Sequence, residues 1–170
     1  MRTVVIGPNA DVDEIIARRR AYGQDLYDEV WEGEYHMAPA PSGAHALLQA
    51  RLLLLLEPFA EAAGLISSAP FNLGTPGDYR VPNGGYHRVE PQGVWHDTAA
   101  IVVEIVSPDD ETYAKFDFYA AHGVGEIIVA DPTEKLVRCF HRTVSAFHEQ
   151  PESTLLGVGV ADLTASIRWP

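Results

Sequence analysis

The chain has 170 residues, 46% hydrophobic and 21% charged, the balance of a soluble protein that buries a core of its own. Its 24 acidic against 12 basic residues give a net charge of -12, which argues against non-specific nucleic-acid binding through a broad basic face, because duplex affinity rests on neutralising phosphates. A nuclease is not excluded, since acids that recruit a divalent cation become locally attractive to phosphate.

The length suits one domain, residues 1–170. The longest purely aliphatic run, Leu52 to Leu56, is five residues, far below the roughly 20 that a membrane span needs. One cysteine, Cys139, allows no intramolecular disulfide and fits a reducing cytoplasm. The N-terminus has too short an apolar core for a secretory signal, so no membrane association is expected.

In chain order, Asp11 with Glu14 three residues later predicts a helix start, and Gly23 its end. Residues 29–37 read as one strand that places Glu32, Glu34 and His36 on one face with Val30. Pro39-Ala-Pro41-Ser-Gly43 leads into a long helix, about 44–63, apolar on nearly all sides. Such a helix needs a sheet on one face and a second cover elsewhere, and a neighbouring subunit supplies that cover in a homodimer. Short strands are expected at 65–73 and 79–82, and a loop at 83–93, where Gly84, Gly85, Pro91 and Gly93 cluster. The stretch Ile101 to Pro108 reads as a strand buried on both faces, followed by a helix at 109–122, strands at 126–130 and 136–141, and an edge strand near the C-terminus. The order predicts a mixed α/β fold around a central sheet flanked by helices.

Glu104 is the conspicuous residue. An ionised carboxylate in the middle of Ile101-Val102-Val103-Glu104-Ile105 costs several kcal/mol unless a metal or a cation pairs it. Lys115, on the next predicted helix, is a partner in reach, although an ordinary surface pair with Glu111 one turn away explains it equally well. Magnesium takes one or two carboxylates and lets substrate phosphate complete its shell, so a single strand acid asks for a second from an adjacent strand. Ser107-Pro108 reads as a cap for the helix that follows. Cys139 alternates to a buried position, and His141 and His148 lack a Cys or His at zinc spacing.

Several motifs resemble the restriction-endonuclease family of the PD-(D/E)XK nuclease superfamily: Trp31-Glu-Gly33-Glu-Tyr-His-Met37, Pro41-Ser-Gly-Ala-His45, Tyr79-Arg-Val-Pro82, Val102-Val-Glu104-Ile-Val-Ser-Pro108, Lys115 to Val124, and Asp131-Pro132. The resemblance spans roughly residues 20 to 141. It implies a restriction-endonuclease-like α/β core and a Mg²⁺- or Mn²⁺-dependent DNA endonuclease, homodimeric, with Glu104 as metal ligand and Lys115 stabilising charge on the attacked phosphate. The position that holds Asp in the family is Asn83, a weaker ligand through a neutral carbonyl oxygen, and the lysine expected two residues after Glu104 is replaced by Val106. Asp78 is a poor substitute for the missing acid, since it lies about 17 Å away along an extended strand. The early acidic group matches Glu29, with Glu34 the competing assignment. His45, at the start of the long helix, packs beside the site or contacts phosphate or a metal-bound water. The competing function is a catalytically inactive nuclease-fold binding module; a hydrolase of small phosphate esters is a third reading.

Overall fold

The computed structural model describes residues 3–5, 10–107, 111–144 and 146–170. Helix α1 (Ala10–Ala21) precedes a hairpin of β2 (Glu29–Trp31) and β3 (Glu34–Met37), the latter also paired with β1 (Thr3–Val5). The expected single strand over 29–37 is broken at Glu32-Gly33, which have φ of 51° and 89°. Two consecutive positive-φ residues make the tight turn whose twist matches a two-residue hairpin. Glu34 and His36 therefore lie on a different strand from Glu29 and Val30. The Asp11 side chain, predicted as a cap, lies outside the described side chains.

The long helix is α2 (Gly43–Ala62), capped by Ser42, whose hydroxyl accepts from His45 N at 3.2 Å. Strands β4 (Ile66–Ser68), β5 (Asn72–Thr75) and β6 (Asp78–Arg80) follow. The segment expected to be a loop contains β7 (Gly84–His87) and runs on to β8 (Trp95–His96). Strand β7 is a buried inner strand between β4 and β9 (Ile101–Ile105). Gly84 and Gly85 are there for close approach: a Cβ on Gly85 would sit 2.8 Å from Ile101 O, and one on Gly84 2.9 Å from Leu53. The turn signal was a packing signal.

After β9, Thr112–Lys115 form a 3-10 turn that runs into α3 (Phe116–Ala121). Pro108 to Asp110, the start of the predicted helix, lie outside the described residues. Strands β10 (Glu126–Asp131), β11 (Leu136–Arg142) and β12 (Phe147–Gln150) complete the main sheet. A small ribbon, β13 (Glu152–Ser153) with β14 (Val158–Gly159), and helix α4 (Val160–Ser166) end the chain, where an edge strand was expected.

The strands divide between two mixed six-stranded sheets, ordered β1-β3-β2-β6-β5-β8 and β12-β11-β10-β9-β7-β4. In the second, β9 runs parallel to β10 and antiparallel to β7. Ile101, Val103 and Ile105 point to the face covered by Leu48, Leu52, Leu56 and Ala60 of α2. Val102 points to the other face, towards Tyr119, Leu73, Ile127 and Val129. Alternation puts Glu104 on that second face. Among the described residues no helix is long and apolar enough to cross a membrane.

Candidate functional site

Glu104 arises from the middle of β9 and is 2% exposed. Lys115 ends the 3-10 turn, 7% exposed, and places its Nζ 3.0 Å from Glu104 Oε1 and 3.0 Å from Glu29 Oε1. The pairing of Lys115 with Glu111 on a solvated face does not form: Glu111 Oε2 lies 3.5 Å from His36 Nδ1 instead. Two anions thus share one buried cation, and each has further donors. Tyr119 OH donates to Glu104 Oε1 at 2.5 Å. Val81 N donates to Glu29 Oε1 at 2.9 Å, and Trp31 Nε1 to Glu29 Oε2 at 2.7 Å. Trp31 is itself fixed, stacked on His36 at 4.6 Å and under the Arg80 guanidinium at 4.3 Å.

Burial pushes the Glu104 carboxyl up, against the opposing pull of Lys115 and the Tyr119 hydroxyl. Burial by itself would lower Lys115, but Glu104 and Glu29 outweigh it and hold the ammonium charged above its usual range. The Tyr119 phenol is raised by burial and by Glu104, so it remains a donor.

Asn83, on the residue before β7, faces the same cavity. Its Oδ1 accepts from Ile105 N at 2.8 Å, so Nδ2 is the atom turned to His45 Nε2, 2.8 Å away. That contact makes Nε2 the acceptor and assigns the ring proton to Nδ1, which lies 3.1 Å from Ser107 Oγ. Ser107 thus meets His45; the start of the helix it was expected to cap lies outside the described residues. The Ser107–His45–Asn83 line resembles a hydrolase triad in outline, but the histidine donates to the serine and cannot take its proton.

The cavity has a volume of about 450 Å³ and is lined by Glu29, His45, Asn83, Glu104, Ser107 and Lys115, with Tyr27, Pro39 and Pro41 on its walls. Of the early acids, Glu29 belongs to it. Glu34 lines a separate cleft with Asp78, Arg80 and Asp117. Asp78 is engaged there, with Oδ1 accepting from Arg80 at 2.9 Å and from Glu32 N at 3.1 Å, so it does not stand in for an acid at position 83.

Sequence reasoning missed Tyr119 and Trp31, since an aromatic side chain carries no pattern that announces a bond to a buried acid. It also missed Asp28, fully buried and held by Arg19 through Nε at 2.7 Å and NH2 at 2.6 Å. Tyr35 OH and Ala38 N complete its shell at 2.8 and 2.7 Å. This knot fastens α1 to the hairpin that carries Glu29, and an unpaired acid directly before a strand was its one trace in the sequence.

No curated protein matches the chain. Among solved structures, a "putative nuclease belonging to DUF820" from Anabaena variabilis matches with a TM-score of 0.64 and 16% identity, over 81% of this chain and 89% of that one. At that identity the likeness speaks for the fold alone. A family model agrees over nearly the whole length, at residues 19–168, and the chain belongs to the Uma2 family, described as "putative restriction endonuclease".

Proposed function

We propose that the protein is a divalent-metal-dependent phosphodiester hydrolase acting on DNA, as a single nuclease domain of the PD-(D/E)XK type, cytoplasmic and homodimeric. The observation that carries this reading is Lys115 bridging Glu29 and Glu104 at 3.0 Å each on the wall of one cavity. Two carboxylates and a carboxamide are hard oxygen donors of the kind Mg²⁺ or Mn²⁺ takes. Glu104 would hold the ion, with Asn83 as a weak second ligand, because its Oδ1 already accepts one hydrogen bond. When bound, the ion supplies Lewis-acid polarisation of the phosphoryl oxygens and a more acidic water.

The residues of the chain take the other roles. The Lys115 ammonium, held charged, stabilises negative charge that builds on the attacked phosphate. Glu29, fixed by Trp31 and Val81, orients the attacking water. His45 does not touch the reacting atoms in this arrangement; through Asn83 it keeps the carboxamide facing the site.

A second reading, a nuclease fold that binds without cutting, is favoured by one observation: both ends of the Asn83 side chain are engaged within the protein. Mn²⁺ calorimetry and plasmid nicking decide between the two. The hydrolase reading expects weak Mn²⁺ binding and slow nicking by wild type, both lost in Glu104→Ala and strengthened about tenfold or more in Asn83→Asp. A wild type that neither binds nor cuts, with both gained in Asn83→Asp, establishes the binding-module reading. Nicking that survives Glu104→Ala at the same rate removes the site from the reaction.

A further inference from the structure

The opposite face of the main sheet carries a second cluster. Glu126 of β10 pairs in register with His141 of β11, and Ile128 with Cys139, so alternation turns Glu126, Cys139 and His141 to one face, the face under α2 and α4. Glu104 lies on the other face, so the two sites are independent. Linear spacing gives no zinc pattern here; the cross-strand register supplies what spacing lacks.

One ligand atom from each of the three residues lies within 4.8 Å of the others. Cys139 Sγ is 3.9 Å from Glu126 Oε2, and His141 Nε2 is 3.1 Å from Glu126 Oε1. The 152–155 segment folds over the cluster and adds a hydroxyl, a backbone N–H and a backbone carbonyl. The Ser153 hydroxyl donates to Glu126 Oε2 at 2.5 Å, Leu155 N donates to Oε1 at 2.9 Å, and Glu152 O is 2.9 Å from His141 Nε2.

Charge separates this cluster from the other buried acids. Asp28 is met by Arg19, and Glu29 and Glu104 share Lys115. Glu126, 3% exposed, is met among the described residues by a hydroxyl, a backbone N–H, a thiol and His141. No Lys or Arg side chain meets Glu126 among the described residues, and a buried carboxylate held by a hydroxyl, a backbone N–H, a thiol and an imidazole suits a metal cation. A thiolate, an imidazole and a carboxylate select a zinc-like ion over magnesium. His141, 24% exposed, opens a way in from solvent.

We propose that Glu126, Cys139 and His141 form a zinc-type metal site, completed by water or the Glu152 carbonyl, that clasps the 152–155 segment onto the sheet. Binding displaces the thiol proton and replaces the hydrogen bonds that Glu126 and His141 now exchange. The test uses the full chain, stripped with a chelator and titrated with Zn²⁺ by calorimetry and with Co²⁺ by absorbance. The expected result is about one Zn²⁺ per chain, a thiolate-to-Co²⁺ charge-transfer band and a raised urea midpoint. Cys139→Ser loses the band, and His141→Gln, at a partly exposed position, weakens Zn²⁺ binding by about 100-fold. Glu104→Ala retains both signals, which separates this site from the Glu104 cavity. If the stripped wild type binds no Zn²⁺, or if both variants bind as wild type does, the proposal fails and the cluster is a hydrogen-bonded clasp only.

Discussion

An ammonium between two carboxylates inside a protein is held there by both, and its removal leaves more than one bond unmade. Lys115→Met keeps the length of the side chain and deletes the charge, so Glu29 and Glu104 are left facing each other in a buried site. Breaking a buried pair costs about 3–5 kcal/mol, and here the loss depends on pH. Burial already pushes Glu104 up, and losing Lys115 removes the largest opposing pull. An acid raised in the folded state binds its proton more tightly there than in the unfolded chain, so stability is gained as pH falls through the raised folded value towards the ordinary carboxylate range. The urea midpoint of Lys115→Met is therefore expected to lie well below wild type at pH 8 and to recover much of the gap at pH 5. A deficit of the same size at both pH values contradicts the charge argument and points to lost packing. The sequence announced this pair because a carboxylate inside an aliphatic strand has to be matched. It did not announce Tyr119 or Trp31, whose bonds to the same acids depend on where two distant elements come to rest.

Elements were legible where periodicity is strong and illegible where a close contact decides. Helix α2 and strands β9, β10 and β11 follow from their apolar patterns; the structure places α2, β10 and β11 within a residue or two of expectation and ends β9 at Ile105. Strand β7 does not, because glycine pairs signal turns and inner strands alike, and the difference lies in what packs on them. Alanine distinguishes the two roles. At Gly85 a Cβ meets Ile101 O at 2.8 Å and Phe71 at the same distance, and backbone cannot yield as a flexible side chain can. Gly85→Ala is expected to cost about 1–3 kcal/mol as overpacking and to weaken Mn²⁺ binding, because β7 directly follows Asn83. Gly43→Ala is the contrasting change: at the first residue of α2 nothing lies within 4 Å of an added Cβ, so helix propensity should make it neutral or stabilising by up to about 1 kcal/mol. Urea melts of the two variants check this; equal effects would return the Gly84-Gly85 pair to a turn-like role.

At the scale of the whole molecule, the net charge of -12 and the apolar outer face of α2 bear on the same question. One side of α2 packs Leu48, Leu52, Leu56 and Ala60 into the core. The other exposes Leu47, Ala50, Leu54 and Pro58 at three- and four-residue spacing, with Leu54 74% and Leu47 45% exposed. A 20-residue helix is about 30 Å long, enough to seat a symmetric partner along a self-complementary face. Two chains of the same strong charge repel, and they approach at least cost through a face whose central residues carry none. Salt screens that repulsion while leaving apolar burial intact. If α2 forms the homodimer face, the dimer fraction seen by light scattering rises as ionic strength goes from roughly 0.05 to 0.5 M, and Leu54→Glu holds the chain monomeric throughout. An interface built on ion pairs would weaken over the same range, so a dimer fraction that falls with salt, or that ignores Leu54→Glu, removes α2 from the interface. On the proposed hydrolase reading the outcome also bears on cleavage geometry, because a dimer that pairs its α2 helices would fix the distance between its two Glu104 cavities, and that distance would set the stagger of a double-strand cut.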